Sequence, residues 1–352
     1  MPAKKKSPEK TKKKQTKTKP ILKPVALILA GFNKIESRKK KKKIIEEMQE
    51  AYDGEVIYIG QNKFLKKIAG KPIIEYVINA VYNAKKSGSA GSKKSERLYD
   101  KIYVYNDIKS IKQAIDLSKY PHLAVNQMKS SVGGHLKDFC KNYIEYGQRV
   151  DIFFGDTPRI TSSDVEWIHE EFNKILGRTK DHRGVPVSLI FSLADFADLK
   201  DNWLEHRIKY IKHGHNKGKL KSFMGFENFQ SRIGNSSAIL MDTSLDGLIE
   251  YEAINVFYNL RKALTPSNIS KIFFLFLKTR HLKIIRQIKN KCIVETELVN
   301  AIIDIISGLY KIDLSSMGIL IYHIKKNASR WENDVDSPLD LEAIDNKFRS
   351  VK

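Results

Sequence analysis

A chain of 352 residues, 41% hydrophobic and 29% charged, is long enough for a large buried core and too apolar to stay unfolded. Its formal charge of +23 favours polyanionic partners, and phosphorylated small molecules satisfy that as well as nucleic acid does. Two cysteines, Cys140 and Cys292, exclude a disulfide framework and a cysteine metal site; both read as small buried hydrophobes in a reducing compartment, the cytoplasm.

Residues 1–24 carry ten lysines against the single Glu9. Residues 1–23 are therefore expected to be a disordered tail rather than a secretory signal, with contact to nucleic acid or an anionic membrane the less favoured reading. Residues 24–345 are expected to form one α/β domain, and 346–352 a short C-terminal tail. "PVALILAG" (24–31) reads as a strand buried on both faces, and "SRKKKKKIIEEMQEAYDGE" (37–55) as a helix followed by a short strand at 56–60. "KPIIEYVINAVYNAKK" (71–86) predicts an amphipathic helix with Pro72 in its first turn.

After a Gly/Ser/Lys loop (87–96) come a strand at 101–107, a short helix near 108–117 and a strand at 122–127. A loop (128–135), a helix from about Leu136 to Tyr146 and the strand opening "VDIFFGD" (150–156) follow. Strands at 185–194 and 236–242 flank a basic, His-containing stretch; residues 245–315 read as a helical insertion before a last strand at 318–324. This alternation predicts a doubly wound, mostly parallel sheet of Rossmann type. No run reaches the roughly 20 apolar residues of a spanning helix. The basic, apolar segment 270–291 reads as a buried helix or a contact between copies in a homo-oligomer, rather than a membrane-surface helix.

In such sheets ligands settle beyond the carboxyl ends of the strands. Gly31, Asp156 and the pair Asp334 and Asp336 all stand at such ends. Carboxylates converging there would make an oxygen-rich site of the kind Mg2+ prefers. Each also has a plainer reading: "GDTP" is good turn chemistry, and "DSPLDLE" is a good helix start.

"LILAG" (27–31), "NKFLKKIAGKPIIEYVINA" (62–80), "VDIFFGDTPRIT" (150–161), "RIGNSSAIL" (232–240) and "DVDSPLDLEA" (334–343) occur in this order. Together they resemble the GT-A-fold nucleotidyltransferases, the group similar to molybdenum-cofactor guanylyltransferase and to sugar- or polyol-phosphate nucleotidyltransferases. The resemblance implies transfer of a nucleotidyl group from an NTP to a phosphorylated small-molecule acceptor, with release of pyrophosphate. It implies that Leu29, Ala30, Gly31 and the loop holding Asn33 and Arg38 approach the nucleotide, that Lys63 reaches phosphate, and that Asp156 binds magnesium with Asp336 or Asp334. Ser131, with Ser130, Gly133 and Gly134, would line the base, and Arg232 and Asn235 the acceptor. The chain departs from the family after Gly31, where "FNKIESRKKKKK" replaces a glycine-rich loop and Lys63 follows later than the usual spacing. That loop keeps a second reading open: a catalytically inactive protein of this fold that binds nucleic acid or anionic lipid through its basic surface.

Overall fold

The computed structural model describes residues 22–31, 58, 60–86, 96–195, 224–225, 230–255, 274, 276–290, 292–332, 334–336 and 338–350. The expected tail, helix 37–55, the side chains of Asn33 and Arg38, most of the 56–60 strand and 87–96 loop, and the basic stretch near 206–221 lie outside these residues.

In chain order the elements are β1 (Val25–Leu29), β2 (Lys67–Ile68), β3 (Lys71–Pro72), α1 (Ile73–Tyr82), β4 (Ile102–Asn106), α2 (Ile108–Ala114), β5 (Leu123–Gln127), α3 (Val132–Tyr143), β6 (Arg149–Phe154) and α4 (Ser162–Ile175). They continue with β7 (Val187–Asp195), β8 (Met224–Gly225), β9 (Gln230–Leu240), α5 (Asp246–Glu250), α6 (Leu282–Asn290), α7 (Glu295–Tyr310), β10 (Gly318–Ile324), α8 (Ala328–Glu332) and α9 (Pro338–Ser350). The main sheet has the order β10-β7-β9-β6-β1-β4-β5, with β8 on β9, and β2 and β3 form a separate hairpin. Pairings are parallel from β6 through β1 and β4 to β5 and between β10 and β7; β9 runs antiparallel to β6 and β7.

Strand β1 shows why the sheet is covered on both sides. Ala26, Ile28 and Ala30 pack into one cluster with Ile74, Val77 and Val81 of α1 and Val165 of α4. Val25, Leu27 and Leu29 face the other way, toward Leu136 and Phe139 of α3 and Ile303 and Ile306 of α7. A strand of five apolar residues has two greasy faces, and only a parallel sheet with helices on both sides buries them.

Several boundaries differ from expectation. Helix α3 begins at Val132, inside the predicted loop, because the Ser131 side chain accepts from Gly134 N and Asn255 Oδ1 accepts from Gly133 N. The glycines are the first turn of a helix capped in part from a distant segment. Pro72 is the N-cap of α1 rather than part of its first turn. Strand β9 starts at Gln230, ahead of the predicted 236. Helix α9 runs through the boundary drawn at 345, to Ser350, with Phe348 edge-on to Tyr76. Cys140 is buried, whereas Cys292 is only half-buried.

Candidate active site

From β1 the chain crosses to β4 on one side, while β6 lies on the other, so the strand order reverses between β1 and β6. A crevice for ligands opens at such a reversal, beyond the carboxyl ends of the strands. Gly155 follows β6 there and donates its N–H to Leu29 O at 2.9 Å. A Cβ at Gly155 would stand 2.8 Å from Ala30 Cβ and 3.3 Å from Phe64 Cδ1, so only glycine allows this approach.

Phe64, 5% exposed, thereby sets the short turn Lys63–Leu65 against the β6 end. Asn106, fully buried at the end of β4, ties the same turn to β1: its Nδ2 donates to Ala30 O at 2.6 Å, and its Oδ1 accepts from Asn62 Nδ2 at 2.7 Å. Lys63 Nζ lies 2.5 Å from Asp156 Oδ2 and is also bonded to Asp336 Oδ1. Residues nearly the whole domain apart thus meet.

The 334–336 segment is anchored between its two acids. Val335, fully buried, packs with Ile68, Ile73 and Ile344, and its N–H donates to Asp156 O at 3.1 Å. Asp336 N donates to Asp340 Oδ2 at 3.1 Å and Asp336 O accepts from Tyr58 N at 2.8 Å. Upstream, Asp164 in the first turn of α4 accepts from Asn327 Nδ2 at 2.7 Å and Arg330 Nη1 at 2.9 Å. Trp331, fully buried, stacks on Phe153, and its carbonyl accepts from Asn235 Nδ2 at 2.9 Å. The chain after β10 is thus pinned on both sides before it delivers Asp334 and Asp336.

Asp156, Asp334 and Asp336 offer carboxylate oxygens that all lie within 4.8 Å of one another. Oxygens on one octahedral magnesium ion stand about 3–4 Å apart, so the spacing and the hard, all-oxygen donor set fit such an ion after a small contraction. Asp156 is 7% exposed, yet its Oδ1 has no hydrogen-bond partner among the described residues. A buried carboxylate oxygen left so is costly unless a ligand meets it. Burial alone would lower the Lys63 pKa, but Asp156, Asp336 and Asp334 reverse that and raise it above the ordinary lysine value.

Gly31 connects this cluster to α3. A Cβ on Gly31 would stand 2.2 Å from His135 Cε1, so the imidazole lies directly against the peptide that follows β1. His135 is 3% exposed, neither ring nitrogen has a partner among the described residues, and burial draws its pKa down to about 4. Ser131 Oγ donates to Glu252 Oε2 at 2.9 Å, and Asn255 lies over Gly133.

Among the expected site residues, then, Lys63, Asp156, Asp334 and Asp336 form one cluster, bordered by Leu29 and Ala30. Gly31, Ser131, Gly133 and Gly134 line the neighbouring α3 end. Asn235 is buried and faces Trp331; only the backbone of Arg232 is described. Asn62, Asn106, His135, Glu252 and Asn255 were not singled out from sequence, where a lone Asn or His carries no periodic signal.

No protein family and no curated protein matches this chain. The fold is similar to that of a hypothetical transferase from Thermus thermophilus, at 13% identity and a TM-score of 0.51 over 91% of this chain and 100% of that one. A weaker likeness, TM-score 0.44 at 13% identity over 94% and 100% of the two chains, runs to CMP:2-keto-3-deoxy-manno-octonic acid synthetase complexed with CTP. Another, TM-score 0.41 at 9% identity over 93% and 96%, runs to 4-diphosphocytidyl-2C-methyl-D-erythritol synthase from Anaerococcus prevotii. At these identities the likeness to the Thermus chain shows the fold alone.

Proposed function

We propose that the chain is a magnesium-dependent nucleotidyltransferase that moves a nucleotidyl group from an NTP to a sugar or polyol phosphate and releases pyrophosphate. The observation that carries this reading is the meeting of Asp156, Asp334 and Asp336 with Lys63 at the β1–β6 crevice. Asp156 and one or both of the C-terminal aspartates would hold Mg2+, whose positive charge would offset the charge gathering on the phosphate oxygens.

The protein's own groups supply the rest. Lys63, kept protonated by its acidic neighbours, offers its ammonium to the same oxygens. Backbone at Ala30 and Gly31 borders the phosphates, and the α3 end with Ser131, Gly133 and Gly134 takes the nucleoside side. Arg232 is assigned to the acceptor by the family resemblance alone, while Asn235 acts by holding Trp331 and the segment that leads to Asp334. An oxygen of the acceptor phosphate forms the new bond to the α-phosphorus as the bond to the bridging oxygen breaks, and pyrophosphate departs with that electron pair. The acceptor phosphate is already ionised near neutral pH, so no general base is required.

The test is a screen of the four NTPs with magnesium against sugar and polyol phosphates, read as pyrophosphate. Asp156→Ala should abolish release without unfolding the chain; wild-type turnover in that variant would overturn the assignment. Failure of every NTP to raise the melting temperature at millimolar concentration would favour a binding protein without catalysis.

A further inference from the structure

Building on the nucleotidyltransferase reading of this crevice, we infer that Lys63 is the resting cation of the carboxylate cluster, so that the site takes a divalent ion only together with a polyphosphate. Lys63 Nζ touches Asp156 Oδ2 at 2.5 Å and Asp336 Oδ1 as well, which are two of the three carboxylates that would hold the ion. Ammonium and metal therefore compete for the same groups.

The charge balance points the same way. Lys63 offsets part of the charge of the three carboxylates and so already removes part of the attraction a free divalent ion would feel. The Lys63 side chain is 14% exposed and Asp156 10%, so screening between ammonium and ion is weak on the Asp156 side, while Asp336, at 44%, meets solvent. Asp334 is 6% exposed and offers an oxygen to the same cluster.

A way out exists for the lysine. Its backbone is held by the Phe64 packing and the 63–65 turn, and its four-carbon stem has the rotatable bonds needed to carry the ammonium from one oxygen to another. A polyphosphate arriving at Gly31 and Ala30 gives the ammonium new oxygens in exchange for Asp156 and Asp336. Those carboxylates are then released to the ion that accompanies the phosphates. By linkage, the factor by which polyphosphate strengthens ion binding equals the factor by which the ion strengthens polyphosphate binding. Lys63 would thus couple the two ligands, and free magnesium would not fill the site by itself.

The experiment counts Mn2+ bound to the full chain by electron paramagnetic resonance, with and without inorganic tripolyphosphate. Wild type should bind Mn2+ weakly alone and much more tightly with tripolyphosphate. Lys63→Met should bind Mn2+ alone about tenfold or more tighter than wild type and lose most of the tripolyphosphate enhancement, whereas Lys63→Arg, which keeps the charge, should behave as wild type. Should Lys63→Met fail to fold by itself, the proposal requires that Mn2+ alone restore its circular dichroism, and a variant that stays unfolded in saturating Mn2+ overturns it. Equal or weaker Mn2+ binding by Lys63→Met, with wild type still binding Mn2+ plus tripolyphosphate, overturns the exchange and leaves the functional reading standing. No Mn2+ bound by any variant under any condition removes both.

Discussion

Asp151 in strand β6 and Asp156 just beyond it are both buried, at 1% and 7% exposure, yet their surroundings are opposite. Asp151 Oδ1 accepts from Arg149 Nε at 2.7 Å, and its Oδ2 from Tyr99 Oη at 2.7 Å and Arg149 Nη2 at 3.0 Å, with His169 Nδ1 at 2.6 Å. Asp156 has Lys63 on one oxygen and no hydrogen-bond partner among the described residues on the other. One carboxylate is saturated at the amino end of the strand, away from the crevice; the other is left partly open at the β1–β6 crevice. That contrast is what the proposed function requires: Asp151 held within the fold, and Asp156 with an oxygen to spare for a ligand.

Exchanging the two acids for alanine breaks or sharpens that contrast most strongly. Asp156→Ala should lower pyrophosphate release by about a thousandfold or more, with a smaller loss of stability than at Asp151, because Lys63 keeps Asp336 as its partner. Asp151→Ala should cost about 3–5 kcal/mol in a denaturant titration, because Arg149 is left buried without its partner, while turnover per folded molecule stays unchanged. The reverse pattern would dissolve the distinction.

Acid titration tests the saturated site next. Burial alone would raise the Asp151 pKa, but Arg149 and His169 bring it down to about 2. A carboxylate depressed in the folded state stabilises fully above its unfolded value near 3.8 and loses that contribution as pH falls toward about 2. The loss is about 2 kcal/mol, and Asp151→Asn should erase that part of the acid limb in denaturation curves recorded between those values.

Smaller effects concern how the open site is delivered. Asn235→Ala removes the donor to Trp331 O and should cost about 1–3 kcal/mol in stability, with weaker Mn2+ binding in the presence of tripolyphosphate. Ser131→Ala removes one cap of α3 and should cost about 1 kcal/mol or less by thermal denaturation, since Asn255 still satisfies Gly133 N.

Local pattern was enough for much of this molecule. Five consecutive apolar residues in β1, the apolar stripe of α1 at Ile73, Ile74, Val77, Ile78 and Val81, and the strand 318–324 lie where their periodicity places them, because each records in adjacent residues which faces must be buried. The Gly155–Asp156 turn and Pro338 at the start of α9 were legible for the same reason. The meeting of Lys63 with Asp156 and Asp336 was implied only by the family resemblance and not by local pattern, since the lysine stands off the family spacing and the contact is made by strand order, by Phe64 against Gly155 and by Val335 in its own small core. Nor could sequence reveal that Asn255 helps to start α3, that His135 lies on Gly31, or that Asn106 joins two loops. Hydrophobic period is a property of neighbours along the chain and can be read there; the partner of a single polar side chain is chosen by packing between remote segments, and only the folded arrangement decides it.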